Sequence, residues 1–421
     1  MSRARIDLVG PPFAGHLHPL LGIGRRLARD YDVRVISTEG AQAQIEAAGL
    51  IGRAVLPGRD AEIRAIVEPP HAVGSNPFRL YAQLRENLKL LLAFRQAILA
   101  LWTSEPPPDL LIADFTVPVA GSVARDLGIA WWTSHPSPCV IETPDGPPAY
   151  LGGCRPGRGP LGASLGRLRD AAGRALIRTF KRGVHRLYRE PIRALGFPHI
   201  YREDGSEAVY SPERVLAYSV PELEFPRTLP AAVELIGPVL YTPPTETPEP
   251  PFREGQPAVL VTLGTHLPWK KDALAEAVRA AASALPEIDF HFTDGRADSE
   301  RRESSGNFHR LGYVSYVRDL ARYALIVHHG GAGVQFHTLR AGLPALVLPV
   351  DYDQFDHAAR LEVAGVARRI HDLGRLAAQV KATLGDAEMG AACRKFAEIL
   401  RGYRAEDRVA EHVAEKLKPF R

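Results

Sequence analysis

Two histidines, His16 and His18, lie in residues 10–19, which read GPPFAGHLHP. The segment follows a short apolar run and precedes one with helical spacing, and doubly wound folds bind ligands at such a junction. At the start of a helix the dipole disfavours a positive charge. We therefore expect His16 to stay neutral, as a general base must. His18 is a rival for this role, and a purely structural histidine is the alternative.

Asp114 ends the apolar segment DLLIAD, residues 109–114, which predicts a buried strand. Parallel sheets present functional groups at the carboxyl ends of their strands. A carboxylate bonded to one imidazole nitrogen fixes the tautomer and stabilises the imidazolium that forms after proton transfer. Asp114 would serve His16 in this way, although an aspartate at a strand end is also a common helix cap or turn residue.

Residues 327–333, VHHGGAG, run from a predicted strand into a predicted helix and hold three glycines in four positions. Small residues let backbone amides approach an anion closely, and the helix start adds positive potential. His329 begins this loop and would donate to a phosphate oxygen. The pattern therefore predicts an anion site in the second half of the chain.

Residues 349–354, PVDYDQ, end the next predicted strand. Asp353 and Gln354 would form hydrogen bonds with sugar hydroxyls from this position. The DYD triplet also matches the DxD pattern of metal-dependent sugar transfer. A plain turn is the alternative for so short a pattern.

Strand and helix patterns alternate in two series, which predicts an α/β fold with parallel sheets. In the first series we expect strands at 5–9, 32–38, 109–115 and 129–134 and helices at 20–28 and 119–128. In the second we expect strands at 258–265, 288–294, 324–329 and 344–350 and a helix at 272–284.

Residues 241–252 hold five prolines, which stiffen a chain and do not suit the interior of a strand or helix. We therefore predict an N-terminal Rossmann-like domain at 1–240, a linker at 241–254 and a C-terminal Rossmann-like domain at 255–421. We expect the last helix to pack back on the N-terminal domain. A long surface loop within one domain is the alternative.

Composition excludes several classes of protein. The 421 residues are 45% hydrophobic and 24% charged, which is an ordinary globular mix, and a net charge of +4 is too mild to indicate nucleic-acid binding. The three cysteines, Cys139, Cys154 and Cys393, are too far apart for a disulfide framework or a CxxC zinc site, so we expect a reducing cytoplasm. The sequence has neither a secretory signal nor about 18 consecutive apolar residues.

Residues 164–193 stand apart, because they hold nine basic and two acidic residues, a net charge of +7. The basic residues form one helical stripe and the apolar residues form another. Such a helix binds weakly to an anionic membrane, which would make the protein peripheral. The alternative is a solvated outer face with the apolar side in the core. The members of the apolar stripe are Leu165, Leu168, Leu176, Phe180, Val184 and Leu187.

Together these segments resemble family 1 glycosyltransferases of the GT-B fold, the group of plant secondary-metabolite and bacterial antibiotic glycosyltransferases. GHLHP is similar to their GHxxP element, and PDLLIADFTVPVAGSVARDLGIA to the segment that carries an acidic partner. LIGPVL before the proline-rich stretch is similar to the start of their linker. VTLGT and HHGGAG…LRAGLPALVLP…DQ are similar to their donor-binding elements. The resemblance implies two Rossmann-like domains facing each other across a cleft.

The resemblance implies an inverting, metal-independent transfer of a sugar from a UDP or dTDP donor to a small apolar acceptor, such as a secondary metabolite or lipid-like aglycone. It implies that His16 is the catalytic base, that Asp114 is its partner, and that neither a metal nor another cofactor is needed. The implied donor contacts are Gly264, Thr265, Tyr313, Val314, His329, Gly331, Ala332, Gly333, Val334, Asp353 and Gln354. The acceptor would rest on Phe13, Trp132 and Tyr150 of the N-terminal domain.

The sequence departs from the family pattern at the donor site. Val334 and His337 stand where the family has Ser or Thr and Glu, and Ser315-Tyr316 replaces a usual Pro-Gln. Two alternatives to a glycosyltransferase therefore stay open. They are a non-catalytic GT-B scaffold or auxiliary partner protein, and a nucleotide-sugar epimerase. The sequence leaves the sugar, the acceptor and the oligomeric state open.

Overall fold

A computed structural model describes residues 3–74 and 76–418. The first half of the chain forms a seven-stranded parallel sheet in the order β3-β2-β1-β4-β5-β6-β7. Its strands are β1 Arg5–Val9, β2 Asp32–Ser37, β3 Ile51–Ala54, β4 Leu110–Asp114, β5 Ala130–His135, β6 Val215–Ala217 and β7 Val233–Leu235. The order places β1 beside β4, so the carboxyl ends of these two strands meet at one edge.

The second half forms another seven-stranded sheet, in the order β10-β11-β9-β8-β12-β13-β14. Only the pairing of β10 with β11 is antiparallel among the described strands of this sheet. Its strands are β8 Ala258–Thr262, β9 Asp289–Thr293, β10 Arg302–Ser305, β11 Phe308–Leu311, β12 Leu325–His328, β13 Ala345–Val347 and β14 Ala367–Arg369. Two parallel-sheet α/β halves agree with the predicted fold class.

Helices connect the strands of both sheets. In the first half they are α1 Ala14–Leu27, α2 Gln42–Ala47, α3 Asp60–Val67, α4 Pro77–Ser104, α5 Val119–Asp126, α6 Gly159–Leu187 and α7 Arg189–Ala194. In the second half they are α8 Pro268–Ala284, α9 Tyr316–Asp319, α10 Ala332–Arg340, α11 Gln354–Val363, α12 Leu376–Leu384, α13 Ala387–Arg401 and α14 Ala405–Lys416.

The first helix begins earlier than its sequence pattern indicates. We predicted a helix from residue 20, but α1 begins at Ala14, with Phe13 as its N-cap. Gly15 and Pro19 are poor helix formers, which is why the pattern missed this turn. His16 is therefore the third residue of a helix rather than part of a loop.

The last helix returns to the first sheet. Val409 and Val413 of α14 are fully buried in the same apolar cluster as Leu17 and Leu21 of α1. The proline-rich residues 241–250 form no regular element between the two sheets. The C-terminal end of the chain thus helps to hold α1, which carries His16.

The interpretation of α6 as a solvated basic face with its apolar side in the core is wrong. Leu165 and Leu168, which that interpretation places in the core, are 59% and 70% exposed. The inward side is polar instead, because Lys181 donates to Glu142 and Glu207 at 2.5 and 2.6 Å. Ion pairs with loop carboxylates hold α6 in place, and its apolar stripe remains in solvent.

A buried ion pair joins β1 to β2 and to the end of α4. Arg34 Nε and Nη2 donate to the two carboxylate oxygens of Asp7 at 2.8 and 2.7 Å. Trp102 Nε1 donates to Asp7 Oδ2 at 2.8 Å. Asp7 is fully buried and Arg34 is 4% exposed, and Arg34 Nη1 also donates to Glu105 Oε2 at 2.5 Å, so Arg34 is the shared partner of two carboxylates.

We predict that Arg34→Leu lowers the free energy of unfolding by about 3–5 kcal/mol, because Asp7 is left as an unpaired buried charge. Urea unfolding measures this change. Arg59→Ala is the control, since it breaks an exposed pair with Glu62 and should alter the midpoint little. Equal effects of the two substitutions would contradict the assignment.

Candidate functional site

The first part of the site lies where β1 and β4 end. His16 Nδ1 is 3.1 Å from both carboxylate oxygens of Asp114. Asp114 is fully buried, and the amide and hydroxyl of Thr116 donate to its Oδ1 at 2.9 and 2.5 Å. With Nδ1–H bonded to Asp114, the lone pair of a neutral His16 ring is on Nε2. This arrangement is that of a general base with an orienting carboxylate.

In this pair, the effect of neighbouring charges on each pKa opposes the effect of burial. Burial lowers the pKa of His16, but the Asp114 carboxylate beside it and Asp353 outweigh that effect and raise it above 6.5. Burial raises the pKa of Asp114, yet His16 and Thr116 bring it below its usual value. The neighbouring carboxylates therefore favour the protonated ring, against the effect expected from the helix start.

Aromatic rings surround His16. The ring of Phe115 lies 5.6 Å from that of His16 and stacks on His135 at 4.1 Å with an interplanar angle of 12°. Burial lowers the pKa of His135 to about 3, so this second imidazole stays neutral. Phe13, at the N-cap of α1, lies 5.3 Å from His266, which follows β8 of the second sheet. Phe13 therefore contacts both halves of the molecule.

The second part of the site is a cradle of glycines around His329. Gly264 after β8 and Gly330 after β12 have positive φ angles of +65° and +94°, which favour glycine. A Cβ on Gly331 would collide with His329 Nε2, and one on Gly264 would lie 3.0 Å from its Cε1. The glycines thus make room for the imidazole between two backbone turns.

The start of α10 offers unpaired donors next to this histidine. The amide of Gln335 bonds to the carbonyl of Gly331 at 3.2 Å, so the preceding amides of Ala332, Gly333 and Val334 have no acceptor within the helix. Burial lowers the pKa of His329 to about 3. Its Nδ1 is buried and has no hydrogen-bond partner among the described residues. The cradle can therefore hold an anion with neutral groups and backbone amides.

Two departures from the family pattern touch each other. The ring of Tyr316 lies 5.5 Å from that of His337, and its hydroxyl is 3.2 Å from Thr262 Oγ1. Burial lowers the pKa of His337 to about 4, so this ring is neutral. A tyrosine and an imidazole thus stand together at the edge of the cradle.

The other predicted donor residues around β11 and β8 differ in exposure. Tyr313 is half-buried after β11, and Thr265 is exposed after β8. Val314 is 1% exposed in an apolar cluster, so its side chain belongs to the core.

Asp353 and Gln354 adjoin the start of α11. Gln354 Oε1 accepts from the amides of Val350 and Asp351 at 2.8 and 3.2 Å, so its carbonyl shapes the loop. Burial raises the pKa of Asp353, but His357, Ser137 and His16 bring it down to about 2. Asp353 is thus ionised and within the electrostatic reach of His16. The structure brings this predicted residue to the dyad.

The predicted acceptor residues do not all lie together. Trp132 is 1% exposed in the N-terminal core and donates Nε1 to Glu213 at 3.0 Å, so its predicted contact with an acceptor is wrong. Tyr150 is 46% exposed, and its amide donates to Asp356 Oδ2 of α11 at 2.8 Å. Tyr150 and Phe13 therefore lie between the two halves, whereas Trp132 supports the sheet.

Sequence reasoning missed several contacts between the halves. The carboxylate of Asp351 accepts from the amides of Val73 and Gly74 at 2.6 and 3.0 Å. Cys139 Sγ lies 3.7 Å from His357 Nε2. His357 follows Asp353 by one helical turn, which is a detectable spacing, but Cys139 precedes His357 by 218 residues and gives no local signal.

Known proteins resemble this chain in sequence and in structure. Residues 258–395 match the glycosyltransferase family 28 C-terminal domain. The chain is 31% identical over 182 residues to a zeaxanthin glucosyltransferase from Pseudescherichia vulneris. These residues are 42% of this chain and 44% of that protein. The chain therefore spans less than half the length of that relative.

Solved structures cover the whole molecule. A glycotransferase of kitacinnamycin superimposes with a TM-score of 0.74 at 22% identity, over 99% of this chain and 100% of the other. The chain has the GT-B fold. A second GT-B structure, a spinosyn rhamnosyltransferase complexed with thymidine diphosphate, has a TM-score of 0.63 at 20% identity, over 97% and 99% of the two chains. The predicted resemblance to GT-B glycosyltransferases is confirmed, and the dyad and the cradle belong to the two halves of this fold.

We predict that His16 titrates with a midpoint above pH 6.5 and that Asp114→Asn moves the midpoint below 6.5. The substitution removes the raising charge while the lowering effect of burial remains. Nuclear magnetic resonance of the imidazole measures both values. An unchanged His16 midpoint in Asp114→Asn would refute this account.

Proposed function

We propose that the protein is an inverting, metal-independent glycosyltransferase. Its donor is a UDP- or dTDP-linked sugar and its acceptor a small, largely apolar molecule such as a secondary metabolite or lipid-like aglycone. One observation carries the proposal: His16 Nδ1 lies 3.1 Å from both carboxylate oxygens of Asp114. This pair and the glycine cradle belong to the same GT-B fold. The relatives that act on sugars support it.

The donor diphosphate would bind at the start of α10. The amides of Ala332, Gly333 and Val334 and the unpaired Nδ1 of His329 are suited to phosphate oxygens. A backbone amide can donate to phosphate whatever its side chain is. The main contact is therefore retained although Val334 replaces the Ser or Thr of the family. The GT-B neighbour with bound thymidine diphosphate supports a nucleotide of this class.

The nucleoside and the sugar of the donor would bind on either side of the diphosphate. Tyr313 would stack on the base, and a neutral His337 beside Tyr316 would contact the ribose where the family has a glutamate. Asp353, whose pKa is about 2, would accept hydrogen bonds from sugar hydroxyls. Gln354 has its carbonyl bonded to the loop, so its amide hydrogens would serve the sugar.

The proposed reaction is an in-line displacement. His16 Nε2 takes the proton of the acceptor hydroxyl while the acceptor oxygen forms a bond to the anomeric carbon on the face opposite the diphosphate. The bond from the anomeric carbon to the diphosphate breaks, and its electron pair leaves with the diphosphate. Asp114 stabilises the imidazolium, and the helix start and His329 stabilise the departing anion without a metal. Attack opposite the leaving group inverts the configuration.

The acceptor would lie against the aromatic rings near His16. Phe115 lies 5.6 Å from the imidazole, and Phe13 and Tyr150 line the space between the halves. These rings suit an apolar aglycone. A scaffold would not need a buried carboxylate paired with His16, and an epimerase would change the donor sugar without any acceptor.

We predict that His16→Ala lowers kcat/KM for sugar transfer by about 10²–10⁴-fold, because the proton acceptor is lost. In the unsubstituted protein, kcat/KM should fall as the pH drops through the pKa of His16, which is raised above 6.5. The protonated ring cannot act as a base. Discontinuous product assays with dTDP- and UDP-sugars measure both effects.

Two controls accompany this test. The exposed His371→Ala variant should transfer normally, and His16→Ala should still show a rise in melting temperature with dTDP or UDP, equivalent to about 2.7 kcal/mol at 100 times the dissociation constant. A loss with His18→Ala but not with His16→Ala would reassign the base. Isomerised donor without acceptor would favour the epimerase, and nucleotide binding without any transfer would favour the scaffold.

We also propose that α6 rests on an anionic membrane surface. Six large apolar residues recur along one side of this 29-residue helix, which is about 44 Å long, and four arginines of α6–α7 are exposed near them. The apolar residues are Leu161, Leu165, Leu168, Leu176, Phe180 and Leu187, and the arginines are Arg167, Arg182, Arg186 and Arg189. If a second copy of the chain covered this surface, the arginines of the two copies would repel each other. An anionic lipid surface suits both the exposed apolar residues and the arginines. None of the described helices is long and apolar enough to cross a membrane.

We predict that the protein cosediments at low salt with vesicles of phosphatidylglycerol and phosphatidylcholine but not with phosphatidylcholine alone. Leu168→Asp should weaken this binding, whereas Val317→Asp, at a 71% exposed apolar residue away from α6, should not. Raising the salt should release the protein, because exposed charges are screened. Equal effects of the two variants, or a dimer that Leu168→Asp dissociates, would overturn the membrane proposal.

A further inference from the structure

Three metal-binding residue types converge between the two halves of the fold. Cys139 follows β5 of the first sheet, and Asp353 and His357 lie at the start of α11 in the second half. One ligand atom from each lies within 4.8 Å of the other two. Cys139 and His357 are 2% and 3% exposed. Neither Cys139 nor His357 plays a part in the proposed transfer reaction.

Two of the three separations between ligand atoms fit one tetrahedral ion. Cys139 Sγ lies 3.7 Å and Asp353 Oδ2 3.5 Å from His357 Nε2. For zinc with a bond to sulfur of 2.3 Å and bonds to nitrogen and oxygen of about 2.0–2.1 Å, tetrahedral angles require separations of about 3.6 and 3.3 Å. The observed separations are therefore close to those of a loaded site.

Gln335 can make the second hydrogen bond that a metal-binding histidine usually has. Its Nε2 is placed 2.9 Å from His357 Nδ1, and its Oε1 is buried with no hydrogen-bond partner in the described part of the chain. Exchanging the amide oxygen and nitrogen lets Oε1 accept from Nδ1–H, which satisfies both groups. When zinc displaces the proton from Nε2, which also lies 3.3 Å from Ser137 Oγ, His357 presents its lone pair towards Cys139 and Asp353. Metal-binding histidines typically donate their other N–H to an oxygen in this way.

We propose that Cys139, Asp353 and His357 bind a zinc ion that clamps the two halves of the molecule together. A thiolate and an imidazole select zinc over magnesium or calcium, and water completes the four ligands. The ion balances the charges of the thiolate and the carboxylate in this buried place. The ligands come from both halves, so the bound ion holds them in the arrangement described here.

The ion would also inhibit the enzyme. This consequence, unlike zinc binding itself, rests on the proposed function, because Asp353 is the residue that we assign to the donor sugar. Zinc takes the Asp353 carboxylate from the sugar and prevents the halves from separating to exchange substrate. The ion is thus distinct from a catalytic metal, and transfer is expected from the zinc-free protein.

Cobalt titration of the intact protein tests the site without any assay of activity. We expect one equivalent of Co²⁺ to give the visible bands of a tetrahedral site and a thiolate charge-transfer band, and one equivalent of Zn²⁺ to remove them. Cys139→Ser should abolish the charge-transfer band, whereas Cys154→Ser, at a partly exposed cysteine elsewhere, should keep it. Gln335→Leu should weaken zinc binding about 10–100-fold.

The outcomes separate the proposals. A missing thiolate band in the intact protein, or a band that persists in Cys139→Ser, overturns the zinc site. If zinc binds, it should raise the melting temperature and suppress transfer until a chelator is added, and Cys139→Ser should be insensitive to it. Transfer that zinc leaves unchanged refutes the inhibitory clamp. A zinc-free protein that transfers no sugar counts instead against the proposed function, while the cobalt result still decides the site.

Discussion

The pairing of β1 with β4 is the constraint on which the rest of the site depends. Because these parallel strands are neighbours, their carboxyl ends meet at one edge, and Asp114 comes to lie beside the first turn of α1. A buried carboxylate needs compensation, and His16 with the two Thr116 donors supplies it. The same edge holds the ring of His135. The buried Asp7–Arg34 pair ties β1 to β2, so the position of the dyad depends on charges that are buried and paired.

Burial lowers the pKa of three histidines near the cleft, whereas neighbouring acidic groups raise the pKa of His16 and of His357. His135, His329 and His337 have lowered pKa values because their surroundings remove water. His16 is buried as well, but its neighbour is a carboxylate, so its pKa is raised. Neutral imidazoles can donate one hydrogen bond without competing for protons. A neighbouring acidic group thus decides whether the pKa of a buried histidine rises or falls here.

The glycine cradle is shaped by the backbone rather than by particular side chains. The features that shape it belong to the backbone, namely the turns at Gly264 and Gly330 and the free amides at the start of α10. Replacement of a hydroxyl by Val334 leaves these features unchanged. His337 and Tyr316, which both depart from the family pattern, contact each other, so the two changes form one altered patch rather than two separate defects.

Sequence patterns predict the longer strands and the meeting of His16 with Asp114, but not short strands such as β3, β6 and β7. Continuous apolar runs predict strands that are buried on both faces, and β1, β4 and β8 lie where those runs lie. His16 and Asp114 follow such runs, so their meeting could be foreseen. Tertiary structure decided which face of α6 is buried, because ion pairs with Glu142 and Glu207 outweigh the periodicity of its leucines. It also placed Trp132 in the core and joined Cys139 to His357 across 218 residues, because side chains from distant segments meet only when the two sheets pack.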